Sequence, residues 1–372
     1  MNTNRRRLAI FVAFSGSGGV ERVIHHLLQG LSAHDLDVDL LAVIGKKGWL
    51  PEIPWPNVRV IDLKVKHTHL ALPALVRYLR REPPDVLMVA KDRAIRIGVL
   101  ARIFSGAKTH LVGQLHNNIS GLLDTKTPIQ GWLRCAPMRW LFPYVDLIIT
   151  VSEGVIEDTI KVANYPREKL VAISSPIVTP EVYRKGDEPV DHPWLNDPNI
   201  RVIMGAGRLA KEKDFATLIK AFKLVRQQQD CKLIIIGEGP LRQDLEQLIA
   251  ELDLKDHVAL PGYAKNPYAW MKKAQLFVLS SAWEGSGNVL IEAMAMGVPA
   301  VSTDCPFGPS ETLANGKYGQ LVPVGDPEAM AKAILDTLSN PFSQDQLQEA
   351  VAPFSLERST QRYLEVLGLA KC

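Results

Sequence analysis

Along the first 173 residues, short apolar runs alternate with longer stretches whose apolar positions recur at helical spacing. The runs are Leu8–Phe14, Val38–Val43, Val58–Leu63, Val86–Val89, His110–Leu115, Leu147–Val151 and Leu170–Ile173, and amphipathic segments such as Val20–Leu31 and Leu72–Arg80 separate them. Near-continuous apolar strands are buried on both faces, and their regular separation by helices predicts a parallel sheet wrapped by helices. The alternation pauses between Pro176 and Ile200, where Pro176, Pro180, Pro189, Pro193 and Pro198 fall among scattered charges. It then restarts. Strands are expected at Val202–Ala206, Lys232–Ile236, Val258–Leu260, Leu276–Leu279, Ala300–Ser302 and Gln320–Pro323, with helices at Phe215–Gln228, Leu241–Leu252, Val289–Met296 and Pro327–Leu338. Ser355–Ala370 reads as a broken closing helix. The pattern predicts an α/β chain of two doubly wound, Rossmann-like domains, residues 1–185 and 201–354, joined by a linker at 186–200, with 355–372 packing back on the first domain. Ligands of such sheets bind beyond the carboxyl ends of the strands, so a central cleft faced by both domains is the expected site.

Composition changes little in this picture. The chain has 372 residues, 47% of them hydrophobic and 22% charged, which supplies two cores and excludes disorder, collagen and coiled coil. No window approaches the roughly 18 apolar residues of a bilayer span, so a soluble or peripheral protein is expected. Arg5, Arg6 and Arg7 before Leu8–Phe14 resemble a secretory leader, but the apolar run is short and leads into glycines and Glu21, as a first strand does. Cys135, Cys231, Cys305 and Cys372 form no CxxC pair, and a reducing, cytoplasmic compartment is the natural reading. Charge does add something. The net +3 divides into +7 over residues 1–190 and −4 over the rest. Arg93, Arg96, Arg134 and Arg139, with Trp132, Met138 and Trp140 interleaved among the last two, suit either solvated helix faces over a core or contact with an anionic membrane. The absence of any recognised nucleic-acid module, together with the acidic second half, argues against a nucleic-acid groove.

Four segments carry candidate chemistry. Ser15-Gly16-Ser17-Gly18-Gly19 follows the first strand and opens the helix from Val20, a place for an anion or simply a tight turn. Gly207 and Arg208, with Lys213 five residues on, follow the first strand of the second half; the two cations suit a diphosphate, unless they are solvated surface charge neutralised by Glu212 and Asp214. Glu284-Gly285-Ser286-Gly287-Asn288-Val289-Leu290-Ile291-Glu292 joins a glycine loop, a helix start and two carboxylates. Helix N-terminal N–H groups take phosphate oxygens and carboxylates take hydroxyl hydrogens, which is what a nucleotide sugar requires. A surface turn explains it poorly, because Glu292 sits among apolar neighbours where an unpaired charge is costly. Finally, His116 ends the strand His110–Leu115 before Asn117 and Asn118; a lone histidine is more often structural, and none has metal-ligand spacing.

Taken in order, Gly18-Gly19-Val20-Glu21, Gly207-Arg208-Leu209 with Lys213, Gly237-Glu238-Gly239-Pro240, the pair Glu284 and Glu292, and Gly297-Val298-Pro299 before Asp304-Cys305-Pro306 resemble the retaining glycosyltransferases of family 4 across nearly the whole chain. The resemblance implies the GT-B fold. The stretch Asp304-Cys305-Pro306 to Gly308-Pro309 and Glu311 resembles members that build lipopolysaccharide, capsule or protein-linked oligosaccharides, commonly from UDP-sugars. It also implies roles. Arg208 and Lys213 would bind the donor diphosphate, Glu292 the ribose and Glu284 the transferred sugar, with Gly287, Asn288, Val289 and Leu290 offering backbone N–H groups. Gly18 and Gly19 would approach the donor phosphate, His116 the donor sugar or the point of attack, and Gly237, Gly262 and Tyr263 the base. Ser174-Ser175-Pro176 stands where members often carry Asn before the proline.

The expected activity is transfer, with retention, of a hexose or N-acetylhexosamine from a nucleotide sugar to a lipid-linked, lipopolysaccharide or polysaccharide acceptor, at the cytoplasmic face of the inner membrane. No carboxylate stands out as a nucleophile, so front-side substitution is expected, with no metal and no cofactor because two cations neutralise the leaving group. The competing readings are a sugar-nucleotide epimerase, a soluble small-acceptor transferase, a non-catalytic nucleotide-sugar-binding protein, and a nicotinamide oxidoreductase, whose complete GxGxxG fingerprint the first turn lacks.

Overall fold

The computed structural model describes residues 5–14, 19–44, 52–116, 120 and 128–370, with backbone alone for 128–134. The chain divides into two compact units, 1–176 with 356–372, and 177–355.

Among the described residues, the first unit holds a seven-stranded sheet of β1 (Arg6–Phe14), β2 (Leu36–Ile44), β3 (Val58–Asp62), β4 (Val86–Ala90), β5 (His110–Leu115), β6 (Leu147–Thr150) and β7 (Leu170–Ala172). The order is β3-β2-β1-β4-β5-β6-β7 and every pairing is parallel. Strand β1 is central and buried from Leu8 to Val12, its alternate residues Leu8, Ile10 and Val12 packing with Ile24, Leu27 and Leu28 of the helix Gly19–Ser32. The helix Leu356–Val366 and the turn after it complete this core with Tyr363, Leu364, Leu367 and Leu369. The Tyr363 hydroxyl accepts a 2.6 Å hydrogen bond from Gln114 Nε2, and Gly30 comes so close to Thr360 that a Cβ there would collide with its hydroxyl.

The second unit repeats the plan with β8 (Val202–Ala206), β9 (Lys232–Ile236), β10 (Val258–Gly262), β11 (Leu276–Leu279), β12 (Ala300–Thr303) and β13 (Gln320–Val322), ordered β10-β9-β8-β11-β12-β13 and again parallel. In both sheets the strand order reverses beside the first strand, between β1 and β4 and between β8 and β11. Loops leaving the carboxyl ends at such a reversal diverge and leave room for a ligand.

The domain limits differ from those expected. The first unit ends at Pro176, not 185, and residues 186–200 are part of the second unit rather than a linker. Two of the prolines that suggested a linker instead occupy the first turns of short helices, Pro180–Gly186 and Pro193–Asn196, where a missing N–H costs nothing. The backbone N–H groups of Ile177 and Val178 both donate to the Phe354 carbonyl at 3.0 Å, so the two places where the chain changes units run side by side. Among the described residues, no helix is long and apolar enough to cross a membrane.

Candidate active site

In the second unit, the turns after β8, β9 and β10 are knitted by backbone hydrogen bonds: Gly207 N–H to the Ile236 carbonyl (3.0 Å), Leu209 N–H to Glu238 (3.0 Å) and Gly237 N–H to Gly262 (2.8 Å). Gly237 has φ +139°, and a Cβ there would fall on the Gly207 carbonyl oxygen; this glycine is required by close approach. Glu238 grips Arg242 through two hydrogen bonds of 2.7 and 2.9 Å, and Arg242 holds the Leu260 carbonyl beside Gly262. Tyr263 follows with 69% of its surface exposed.

The turn after β11 carries Glu284. Its Oε1 accepts a hydrogen bond from Ser281 Oγ at 2.6 Å and pairs with Lys213 Nζ, both side chains being largely buried. The backbone locks these partners together. Ser280 Oγ donates to the Lys213 carbonyl at 2.7 Å, Ala282 N–H to the Glu212 carbonyl at 2.9 Å, and Thr303 Oγ1 to the Ser281 carbonyl at 2.6 Å. Lys213 is therefore held by Glu284, not neutralised by its sequence neighbour Asp214, whose carboxylate instead caps the helix Phe215–Arg226 through Thr217 N–H (3.3 Å) and Oγ1 (2.6 Å). Arg208 is exposed and has no ion pair among the described residues.

Gly287 (φ +65°) turns the chain into the helix Asn288–Ala295, whose first turn contains Asn288, Val289 and Leu290. One turn on, Glu292 is buried, and the Tyr268 hydroxyl donates to its Oε1 at 3.5 Å. Gly308 packs its backbone on Ser286, which brings the turn after β12 against the Glu284 loop. Burial, with the nearby Glu284 charge, pushes the Cys305 thiol up to about 12, so this cysteine is inert as a nucleophile at neutral pH.

The first unit has its own polar cluster at its strand reversal. Gly19 starts the helix after β1, and Gly18 lies outside the described residues. Two residues on, buried Glu21 pairs at 2.9 Å with Lys91, which follows β4 with φ +78° and also donates to the Ala13 carbonyl at 3.2 Å. His116, at the end of β5, is buried, and its Nε2 has no hydrogen-bond partner among the described residues. Burial, helped by the Lys91 charge and opposed by that of Glu21, lowers its pKa to about 3. The ring is therefore neutral at physiological pH.

These two clusters sit in regions that match two known families. Residues 190–352 match the glycosyl transferases group 1 and residues 18–176 the glycosyl transferase 4-like domain. The chain is 31% identical, over 93% of its length and 92% of the relative's, to the N-acetylgalactosamine-N,N'-diacetylbacillosaminyl-diphospho-undecaprenol 4-alpha-N-acetylgalactosaminyltransferase of Campylobacter jejuni. The chain belongs to the group 1 glycosyltransferases. The lipopolysaccharide core biosynthesis glycosyltransferase LpsE of Rhizobium meliloti is 29% identical over 95% of this chain and 97% of its own. Among solved structures, Anabaena HepE in complex with UDP and glucose superposes with a TM-score of 0.76 at 17% identity, covering 98% of this chain and all of HepE. The galactosyltransferase WaaB of the lipopolysaccharide outer core gives 0.73 at 20%, covering 98% and 99%. At these identities the likeness establishes the fold, which is GT-B.

In this glycosyltransferase Arg208, Lys213 and Glu284 stand in the turns after β8 and β11, at the reversal point of the second sheet, with Glu292 in the helix that follows, and His116 stands after β5, one strand beyond the reversal of the first. Sequence reasoning missed Ser281, Tyr268 and Lys91. Lys91 carried a signal, since it directly follows a buried strand at its carboxyl end; Ser281 and Tyr268 carried none. Of the residues left open between helix faces over a core and membrane contact, Met138 is fully buried, Arg139 bonds the Val162 carbonyl at 2.9 Å and Arg96 pairs with Asp92 at 3.3 Å, as helix faces over a core do. Trp140 is 68% exposed and Arg93 is exposed; the side chains of Trp132 and Arg134, like Asn117 and Asn118, lie outside the described residues.

Proposed function

We propose that this glycosyltransferase moves a hexose or N-acetylhexosamine, with retention, from a UDP-sugar to a lipid-linked, lipopolysaccharide or polysaccharide acceptor. The observation that carries the reading is the Glu284 carboxylate, held by Lys213 and Ser281 one loop away from the exposed Arg208 and the helix start at Asn288. Glu284 suits the hydroxyls of a transferred sugar. Arg208, Lys213 and the N–H groups of the helix start suit the charge that develops on a departing diphosphate. In the proposed step the bond from the anomeric carbon to the phosphate oxygen breaks while the acceptor oxygen bonds the same face. The acceptor's proton passes to the departing phosphate oxygen, so neither a nucleophilic carboxylate nor a metal ion is called on. His116, neutral and with an unpaired ring nitrogen, suits a hydroxyl of the donor sugar.

The acceptor class is supported by the Campylobacter relative, whose name specifies a diphospho-undecaprenol substrate and an alpha linkage, and by the lipopolysaccharide relative; UDP is supported by the HepE complex. Contact with the cytoplasmic face of an anionic membrane is supported by Leu70, Ile103, Phe104, Trp140 and Tyr144, all about half-exposed or more and all in the basic first half. Flotation with anionic vesicles should carry the protein along and weaken with salt; binding indifferent to both lipid charge and salt removes the membrane part of the reading.

The deciding experiment is a panel of UDP- and GDP-sugars incubated in EDTA with lipid-linked oligosaccharide. Nucleotide released only when acceptor is present, with an alpha product from an alpha donor, is the expected result. Release without acceptor, or conversion of one sugar nucleotide into another, overturns transfer; a beta product overturns retention; abolition by EDTA overturns the metal-free step.

A further inference from the structure

The first unit contains a cavity of about 680 Å³ outside the residues assigned above. Its described walls carry Lys66, His67, His69, Arg93 and Arg96 and no Asp or Glu. The cations come from two separate segments, 66–69 before the helix Leu72–Arg81, and the first turns of the helix Asp92–Ser105. Asp92, beside the cavity, pairs with Arg96 at 3.3 Å, so among the described residues three permanent cations, Lys66, Arg93 and Arg96, stand against one carboxylate. The remaining surplus matches the two negative charges of a diphosphate diester.

The other walls are apolar, with Phe14, Ile97 and Leu100 among them. Leu70, one residue beyond the first segment, is 50% exposed. A site for free phosphate has no use for such walls, whereas an anionic head group bearing a hydrocarbon tail does. The cavity is also wider than a diphosphate needs. It adjoins the polar cluster of this unit, because Ala13, which lines it, is the residue whose carbonyl accepts from Lys91 Nζ.

We propose that this cavity binds the diphosphate and the first carbons of the tail of a prenyl-diphosphate-linked acceptor, with Lys66 and Arg93 as its exposed anion contacts and Phe14, Ile97 and Leu100 as the apolar wall. The proposal rests on the lipid-linked reading of the acceptor and narrows it to one place and one charge pattern. Seating the diphosphate here sets the attached saccharide toward Lys91, Glu21 and His116.

The test uses the full-length protein, saturated with UDP so that a nucleotide site is already filled, and titrates farnesyl diphosphate, farnesol and inorganic pyrophosphate by calorimetry. Farnesyl diphosphate should bind, farnesol and pyrophosphate each at least about tenfold more weakly, because each lacks one half of the recognition. Lys66→Glu/Arg93→Glu should weaken farnesyl diphosphate at least about tenfold while UDP affinity stays at the wild-type value. Lys66→Gln/Arg93→Gln serves if the reversed charges disturb folding. No binding of farnesyl diphosphate, binding unchanged in the variants, or farnesol binding equally well each overturns the site. Pyrophosphate binding as tightly as the prenyl compound makes the cavity a free-phosphate site and overturns the lipid assignment. The transfer reading is judged separately, by nucleotide release from UDP-sugars, which none of these titrations measures.

Discussion

Lys213 and Glu284 are 71 positions apart and share one hydrogen bond, with Ser281 Oγ on the same carboxylate oxygen. If the ammonium neutralises a departing phosphate, its loss should slow turnover far more than it harms the fold, since Ser281 still holds Glu284. Lys213→Ala should reduce kcat by about 10²- to 10³-fold, the usual cost of removing one donor to developing charge, with the circular dichroism spectrum unchanged. Turnover within a few-fold of wild type would remove the lysine from the chemistry. His116 gives a different kind of prediction. Its folded pKa of about 3 lies below the ordinary 6.5, so the unfolded chain takes up a proton that the folded chain refuses. The stability this group contributes is complete above pH 6.5 and is lost progressively as pH falls toward 3. Between pH 7.5 and 5 the loss is about 2 kcal/mol, and His116→Asn should lose that much less than wild type when urea midpoints are compared; equal losses would contradict the burial argument. Where Arg208 and Glu284 stand was legible, because each follows an apolar strand at its carboxyl end, and Glu292 reads as one turn into the next helix. Their pairing was not. Asp214 looked like the partner of Lys213 because it is adjacent, yet its carboxylate is committed to Thr217 three residues on, a helix-capping arrangement that local spacing encodes.

At the level of elements, strand positions were readable because buried parallel strands are apolar throughout, and β8, β9 and β11 occupy the residues expected of them. The segment 177–200 was misread because proline marks both linkers and helix starts, and only the tertiary setting of Pro180 and Pro193 separates the two. Glycines mark places where the backbone itself forms the site, but they are not equivalent. At Gly237 a side chain would meet the Gly207 carbonyl oxygen, whereas at Gly325 (φ +73°) the space is open. Gly325→Ala should therefore cost only the left-handed backbone term, about 1 kcal/mol. Gly237→Ala must also push apart the turns after β8 and β9, for about 2–4 kcal/mol in all. In a thermal melt the second substitution should lower Tm by roughly 5–10 °C and weaken UDP binding, with the first doing little of either. Equal shifts would mean that the contact between the two turns is slack.

For the whole molecule, the chain enters the second unit at Ile177 and leaves it at Ser355, so the first unit is made from both ends of the sequence. The returning segment is not a surface strap. Tyr363, Leu364, Leu367 and Leu369 are buried in the core that also contains Leu8, Ile10 and Leu28, and the Ser359 hydroxyl donates to the Ser174 carbonyl at 2.6 Å. Burying one such side chain is worth about 1.5–3 kcal/mol, so the four together supply roughly 6–12 kcal/mol, comparable to the entire stability of an ordinary domain. A chain ending at Ser355 should therefore lose protease resistance throughout residues 1–176 while the β8–β13 unit, whose core is complete without the tail, still melts cooperatively and binds UDP. Adding a peptide of residues 356–370 should restore protection to the first unit, because the Gln114–Tyr363 hydrogen bond and the niche over Gly30 select that one helix. Protection of residues 1–176 at the wild-type level without the tail would show that the buried tyrosine and leucines are incidental to that core, and that the first unit is closed by its own sequence alone.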